Sequence, residues 1–259
     1  MKLQGTRPQG YTKSGYCLCV VFGAVIAIAM FIVLLFFSME YVCYHDFDIY
    51  RQEYEKYDVL SNLPDGVSMT GENSLMSVTE HMMKYLIGDK DTPDLQTQIN
   101  TADGVRDFFV ERELLHMADC RELFRKALQL QYISVMLILF LLVYGRYAIL
   151  QDRAAFLKAT GKGLLIGAAV FFAAAASLAV YMVTNFSTAF VQFHLLFFDN
   201  DLWLLDPRES LLINILPEGF FFDMVKRILA VYLPAAAVFL GLSFWLERKY
   251  RSVQLSFRS

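Results

Sequence analysis

Histidine exchanges protons near neutral pH more readily than other side chains, and the chain has only four histidines in 259 residues. One of them, His116, lies in the stretch "ERELLHMADC" between two carboxylates, Glu113 and Asp119. On a helix, residues three positions apart share a face, so both carboxylates would flank the imidazole. A neighbouring carboxylate fixes the tautomer and stabilises the imidazolium, which suits a general base. The alternative is a helix surface with ordinary charge pairing.

A second histidine, His194, lies in the aromatic stretch "QFHLLFFDND". Apolar surroundings disfavour the imidazolium, so we expect a lowered pKa there; the alternative is an interfacial histidine bonded to the backbone. His81 is predicted to be a packing or solvated residue, and His45 follows the first apolar segment closely. A zinc site built from His116, His194 and an acid is stereochemically possible, but the spacing does not specify one.

Four apolar segments must position these residues. The chain is 56% hydrophobic, which exceeds the fraction in ordinary soluble domains. Each segment has an uncharged interior and can cross about 30 Å of hydrocarbon as a helix. The predicted transmembrane helices are residues 15–38, 128–146, 163–185 and 227–247. The first exceeds the apolar length of a cleaved signal peptide, so we expect it to be retained.

Charge segregation predicts the orientation of these helices. Residues 1–14, 147–162 and 248–259, with their flanking positions, carry 11 of the 23 basic residues and two of the 26 acids. The positive-inside rule places them in the cytoplasm as two tails and a loop. Segments 39–127 and 186–226 are then external, and they contain all four histidines. The predicted fold is an all-α membrane protein with four transmembrane helices and a small, mainly helical extracytoplasmic cap.

Local patterns predict some elements of the cap. Apolar spacing predicts a helix that ends near Gly88, and the polar stretch after it is loop-like. A helix starting near Glu111 meets no Pro or Gly before Gly145, so it should run on into the second span. Pro-Asp-Gly at 64–66 predicts a turn. Cys43 and Cys120 are both predicted to be external, and a disulfide between them is left open. The acidic exterior excludes a nucleic-acid partner.

Two segments together resemble the lipoprotein intramolecular transacylase family of bacterial integral membrane proteins. They are "ERELLHMADCRELF" and "FHLLFFDNDLWLLDPRESLLINILPEGFFFD", placed before the second span and after the third. The resemblance rests on Glu-x-x-His-Met-x-Asp at 113–119 and on Phe-His, Asn-Asp-x-Trp and Leu-Asp-Pro between Phe193 and Pro207. The chain departs from the family at Val110, where members often have Ser or Thr as an N-cap.

The resemblance implies acyl transfer within one substrate molecule, a diacylglyceryl lipoprotein, at the boundary between the cap and the bacterial cell membrane. The sn-2 acyl chain would move from the glyceryl oxygen to the α-amine of the N-terminal cysteine and leave a lyso-form lipoprotein. An ester becoming an amide runs downhill, so no cofactor is expected. The implied partners are this substrate and membrane lipids, and the oligomeric state is left open.

The chemistry of this transfer needs two proton-handling groups. Our hypothesis is that His116 is the general base, oriented by Asp119 or Glu113, and that His194 donates to the departing oxygen; the reverse assignment is equally compatible with the sequence. The residues expected to line the pocket or to fix substrate geometry are Phe193, Phe197, Asn200, Trp203, Asp206 and Arg208. Two other functions stay open: a non-catalytic assembly or sensor protein, and a zinc-dependent membrane hydrolase.

Overall fold

The computed structural model describes residues 13–64, 66–67, 72–92, 98–101, 104–149 and 153–256. Parts of five predicted features lie outside the described residues: the two tails, at 1–12 and 257–259, the loop at 150–152, the Pro-Asp-Gly turn at Asp65, and the polar stretch after Gly88, at 93–97 and 102–103. The elements follow in the order α1 (Lys13–Tyr44), α2 (Asp48–Lys56), α3 (Glu72–Ile87), β1 (Gln98–Thr101), β2 (Gly104–Asp107), α4 (Glu111–Ile149), α5 (Arg153–Thr184), α6 (Phe186–Phe197), α7 (Leu211–Ile215) and α8 (Glu218–Ser256).

Four of these helices, α1, α4, α5 and α8, are long and apolar enough to cross a membrane. The mainly helical architecture with four such helices confirms the predicted fold class. In α4 only the part after Lys126 suits hydrocarbon, because the helix carries eight charged side chains between Glu111 and Lys126. The spanning part of α8 likewise follows Arg227.

One compact unit, unit 1, consists of Met1–Phe36, Leu130–Thr184 and Val231–Ser259. Inside it, α1 and α5 approach so closely that a methyl group at Gly163 or Gly167 would collide with main-chain atoms of Val20 or Ala24. Gly163 and Gly167 are four residues apart, which is the small-residue spacing that lets two membrane helices come into backbone contact. Close backbone packing therefore joins this helix pair.

The other compact unit, unit 2, consists of Phe37–Gln129 and Asn185–Ala230 and contains all four histidines. Its interior is mostly apolar, with fully buried side chains that include Tyr50, Leu75, Ile99, Phe108, Leu211 and Ile215. The buried Tyr54 and Thr79 hydroxyls lie 2.7 Å apart and join α2 to α3. Buried Glu53 accepts a hydrogen bond of 2.9 Å from Arg227, which joins α2 to α8.

Helix α3 ends where the sequence predicted. Gly88 has a φ of +95°, a left-handed conformation that glycine adopts without strain. The Gly88 amide donates to the Tyr85 carbonyl and the Asp89 amide to the Lys84 carbonyl, at 3.0 and 2.9 Å. This is the Schellman arrangement that closes a helix on a glycine.

The loop predicted after Gly88 is wrong for part of its length, because strands β1 and β2 pair there as an antiparallel hairpin. Each strand has four residues, which is too short for the alternating pattern that identifies a strand in a sequence. Ile99 is buried to 2% exposure, whereas Val105 remains largely exposed. Each strand thus has a single large apolar residue, and only Ile99 packs into the interior of unit 2, so the sequence pattern gives little signal for the hairpin.

Candidate active site

Helix α4 starts without the hydroxyl cap that Ser or Thr would supply. Instead, the Glu113 carboxylate reaches back and accepts a hydrogen bond of 2.7 Å from the Val110 amide. A glutamate in the third helical position commonly serves the N-cap amide in this way. A Ser or Thr hydroxyl would bond the Glu113 amide instead, and here that amide donates to the Val110 carbonyl at 2.9 Å.

The second oxygen of Glu113 binds a distant segment. It accepts hydrogen bonds from the Ser210 hydroxyl at 2.5 Å and from the Leu212 amide at 2.7 Å. Ser210 directly precedes α7, and Glu113 is fully buried. Its carboxylate bonds to these donors and not to His116, so in this structure Glu113 holds the start of α4 against the start of α7.

The two candidate histidines meet inside unit 2. His116 on α4 and His194 on α6 are 7% and 6% exposed, and their ring centroids lie 5.8 Å apart. Phe198 packs 5.3 Å from the first ring and 5.6 Å from the second, and Trp203 stacks on His194 at 4.8 Å. Residues far apart in sequence therefore form one aromatic cluster around two imidazoles.

The ring nitrogens of His194 are not equivalent. Nδ1 lies 2.7 Å from the Phe190 carbonyl oxygen. A carbonyl can only accept, so Nδ1 carries the proton and donates it to this bond. In the neutral ring Nε2 is then unprotonated, and it is the nitrogen that can take a proton.

His116 has a different environment. Its Nε2 lies 3.5 Å from Sγ of Cys120, one turn further along α4. Its Nδ1 is buried and has no hydrogen-bond partner among the described residues. Buried polar atoms without a partner are rare, and in native structures each calls for an explanation.

Both imidazoles are held in the neutral form. The pKa of His116 is lowered to about 4, mainly by burial and also by the nearby His194, against the opposing charge of Asp119. Burial also lowers the pKa of His194, against the hydrogen bond to Phe190. This is the direction that the aromatic sequence around His194 predicted.

Asn200 links the aromatic cluster to α4. Its side-chain amide donates to the Asp119 carboxylate at 2.8 Å, and its main-chain carbonyl accepts from the Trp203 indole at 3.0 Å. Asp119 is thereby bonded to Asn200, while its charge still acts on His116. The Asn-Asp-x-Trp element thus forms a turn that places Trp203 against His194.

The remaining candidate residues lie at the edge of this arrangement. Asp206 and Arg208 form an ion pair with each other, and hydrogen bonds from Arg208 lower the pKa of the Asp206 carboxyl to about 2. Phe193 and Phe197 on α6 have ring centroids 4.9 Å apart and are 43% and 47% exposed. These two rings form an accessible apolar surface next to the buried His194.

Three further observations concern residues that were not candidates or stayed open. Neither Ser210 nor Cys120 was predicted to belong to the site. For Cys120 the sequence contains one signal, its spacing of one helical turn from His116. Cys43 and Cys120 are free thiols. The ring of His81 bonds to the Thr92 carbonyl at 2.8 Å.

Comparison with known proteins gives a consistent picture. A family model described as lipoprotein intramolecular transacylase Lit matches residues 24–221. The solved structure of the transacylase Lit from Bacillus cereus is similar at a TM-score of 0.68 and 20% identity, covering 91% of this chain and 98% of that chain. The same protein with a histidine-to-arginine substitution gives 0.66 and 19%, covering 91% and 95%. No match occurs among curated protein sequences. At these identities the structural likeness shows a shared fold.

Proposed function

Because the chain belongs to the lipoprotein intramolecular transacylase family and is therefore an acyltransferase, we propose that His116 and His194 catalyse acyl transfer within a diacylglyceryl lipoprotein. The sn-2 acyl chain moves from the glyceryl oxygen to the α-amine of the N-terminal cysteine, and a lyso-form lipoprotein results. The observation that carries this proposal is the pair of buried imidazoles, 5.8 Å apart in an aromatic surrounding.

The reaction balances without a cofactor. A nitrogen–carbon bond forms between the amine and the acyl carbon, and the bond between that carbon and the glyceryl oxygen breaks. The amine nitrogen loses one proton and the glyceryl oxygen gains one. The enzyme therefore has to move a proton from one atom of the substrate to another, and one or two neutral histidines can do this.

Holding the substrate amine close to the ester carbon supplies much of the expected rate enhancement. Counting the nitrogen, the two cysteine carbons, the sulfur, two glyceryl carbons, the ester oxygen and the acyl carbon, the attack closes an eight-membered ring. A flexible substrate rarely adopts that arrangement in solution, so a site that holds the reacting atoms together gains a large entropic advantage. The amine is itself the nucleophile, and a covalent enzyme intermediate is unnecessary.

The hydrogen bond at His194 supports a role as the proton acceptor, the reverse of our first assignment. With Nδ1 committed to the Phe190 carbonyl, Nε2 is free to take the proton from the amine. The resulting imidazolium can then deliver that proton to the glyceryl oxygen. Serine proteases use one histidine in the same two steps.

Neighbouring residues have supporting roles in this proposal. Phe193 and Phe197 contact the acyl chain, because they form the accessible apolar surface beside His194. Asp119, Asn200 and Trp203 position the two rings through their hydrogen bonds and the stacking contact. Outside this group, Glu113 holds the start of α4 against the start of α7. The ion pair of Asp206 with Arg208 lies in the turn that precedes α7.

Single replacements test the proposal. We expect His116→Ala and His194→Ala each to reduce formation of lyso-form lipoprotein by about 100-fold or more, because acid–base groups contribute at least that factor. The readout is the lipid form of lipoprotein N-termini, measured by mass spectrometry in cells that depend on this protein for the reaction. His81→Ala is the matched control, because His81 lies in the same unit and its ring bonds to a loop carbonyl.

Two results would overturn the proposal. The first is unchanged lyso-form lipoprotein in cells whose membranes contain normal amounts of either active-site variant. The second is loss of activity on strong chelation with recovery on adding zinc, which would favour a metal-dependent hydrolase. We expect activity to survive chelation, since the proposed steps use only imidazole groups.

A further inference from the structure

The contact between Cys120 and His116 has no part in the acyl transfer described so far. Both residues lie on α4 within unit 2, one helical turn apart, with Sγ 3.5 Å from Nε2. A cysteine beside a histidine can be a nucleophile when the histidine stabilises a thiolate. The surroundings of Cys120 favour the opposite state.

The Cys120 side chain keeps its proton. Burial raises the pKa of the thiol to about 12, and the negative charge of Asp119 acts in the same direction. The lowered pKa of His116 makes its ring a poor acceptor of the thiol proton, so an ion pair of thiolate and imidazolium is disfavoured. A thioester intermediate on Cys120 is therefore disfavoured, and the group that meets Nε2 is a thiol with a hydrogen to donate.

The direction of this hydrogen bond follows from the two atoms. An unprotonated imidazole nitrogen is a good acceptor, whereas thiol sulfur is a weak one. The favoured arrangement therefore has S–H of Cys120 donating to Nε2 of His116. The proton of the neutral ring then lies on Nδ1.

The second observation is the state of that Nδ1. His116 is 7% exposed, and its Nδ1 is a buried atom without a partner among the described residues. An N–H group left unpaired in the interior is unfavourable, so natural proteins keep one chiefly where a function uses it. Here the unpaired group belongs to a ring 5.8 Å from His194.

Resting on the acyl transfer proposed above, we propose that Cys120 is a positioning residue that holds His116 in the Nδ1–H tautomer. His116 then offers a proton donor to the substrate, while His194 offers the unprotonated Nε2 as acceptor. The two histidines are neutral but opposite in hydrogen-bonding character.

This assignment gives each ring one task in the reaction. As the amine attacks, negative charge develops on the carbonyl oxygen of the ester, and a preorganised N–H is the group that stabilises it. Nδ1–H of His116 donates that hydrogen bond and keeps its proton throughout. His194 carries the proton from the amine nitrogen to the glyceryl oxygen, so bonds, charge and protons balance.

A spectroscopic experiment tests the tautomer directly. The protein is labelled with nitrogen-15 histidine and reconstituted in lipid bilayers, where protonated and unprotonated ring nitrogens have well-separated NMR shifts. His116→Gln identifies the His116 signals. We expect native His116 to show a protonated Nδ1 and an unprotonated Nε2, and Cys120→Ala to populate the opposite tautomer.

The matched control is Cys43→Ala, which removes another partly buried free thiol from the same unit. It should leave the His116 signals unchanged. Cys120→Ser should restore the native tautomer, because a hydroxyl can also donate to Nε2. The inference is overturned if Cys120→Ala leaves the His116 tautomer as it is in the native protein.

Activity provides a second readout. We expect Cys120→Ala to lower the rate of lyso-form lipoprotein formation by about tenfold, as is typical when a group orienting a functional histidine is lost. Cys120→Ser should recover most of that rate, and Cys43→Ala should match the native protein. A rate loss in Cys120→Ala without a change of tautomer would mean a merely structural role and would also overturn the inference.

Failure of the proposed function would look different from failure of this inference. If His116→Ala and His194→Ala both retain native activity, the acyl-transfer mechanism fails whatever the NMR signals show. If both lose activity but Cys120→Ala keeps the native tautomer, the mechanism stands and only the role of Cys120 fails.

Discussion

At the scale of single residues, the site differs from a histidine–carboxylate pair. Among the described residues, the ring nitrogens of His116 and His194 have a thiol and a carbonyl as their hydrogen-bond partners. Neither partner stabilises an imidazolium as a carboxylate would, so the effect of burial prevails and both rings stay neutral. A neutral pair suits a reaction that begins and ends with uncharged rings.

The lowered pKa values predict a loss of stability in acid. The pKa of a histidine in the unfolded chain is about 6.5, and in the folded protein burial and the nearby His194 lower the pKa of His116 to about 4. Between these values the unfolded state binds more protons, so stability falls as the pH drops from about 6.5 to 4. The contribution of His116 to this loss is on the order of 3 kcal/mol. The measurement is the thermal unfolding midpoint of the purified protein against pH.

His116→Asn provides the comparison for that curve. The variant lacks the titrating ring and should lose less stability over the same pH interval, whatever its absolute midpoint. Parallel curves for the native protein and the variant would contradict the assignment of the effect to His116.

The bonding of Glu113 predicts a stability change of its own. Glu113→Gln replaces one acceptor oxygen by a donating amide, so at least one of its three donor partners loses its acceptor. A buried hydrogen-bond mismatch costs about 1–3 kcal/mol, and we expect a lower midpoint of thermal unfolding. Glu111→Gln, in the exposed first turn of α4, should change it little. Equal midpoints for both variants would count against this role.

At the scale of elements, the α1–α5 contact depends on the absence of side chains. Gly163→Leu would place a side chain against the main chain of Val20 and Ala24. We expect a loss of about 1–3 kcal/mol, as overpacking usually causes, measured by unfolding in detergent. Gly241→Leu is the control, since a methyl group there meets no atom within 4 Å. Similar losses in both variants would show that leucine in a membrane helix, and not the close contact, is responsible.

Helix α6 has a buried face that carries His194 and an exposed face that is proposed to contact the acyl chain. Ala189 and His194 are buried, whereas Phe193 and Phe197 are roughly half exposed. We expect Phe193→Ala with Phe197→Ala to lower kcat/KM about tenfold, which corresponds to about 1.4 kcal/mol of lost contact with the acyl chain. Stability should change little, because these rings contribute less to the core than buried ones.

The control for that pair is Leu204→Ala, which removes a 56% exposed apolar side chain outside α6. Its kcat/KM should stay close to the native value. An equal reduction in both proteins would mean that exposed apolar surface matters in general, and it would contradict a specific acyl-chain contact at the two phenylalanines.

At the scale of the whole molecule, the uneven distribution of Lys and Arg predicts the orientation. A cysteine placed at exposed Lys90 should react with a membrane-impermeant maleimide in intact cells, whereas one at exposed Lys158 should react only after the membrane is opened. The background for both variants lacks the exposed native Cys17. Labelling of Lys158→Cys in intact cells would reverse the predicted topology.

The sequence alone determined the features that depend on composition and local period. The four spans follow from apolar length, because a helix is the only way a single segment can satisfy its backbone bonds in hydrocarbon. The C-terminal end of α3 follows from Gly88, and the start of α4 follows from the charged turn at Glu111. The motifs around His116 and His194 also predicted the family. The spacing within each motif does not indicate that the two histidine rings lie close together.

Only the tertiary structure decided the atomic partners. The proximity of His116 and His194 depends on how α4 and α6 pack, and the bonds from Glu113 to Ser210 and Leu212 cross between segments distant in sequence. The β1–β2 hairpin and the thiol contact at His116 carried no sequence signal sufficient to predict them. The physical reason is that burial follows local periodicity, whereas the protonation of a buried ring follows from the single atoms brought against it by packing.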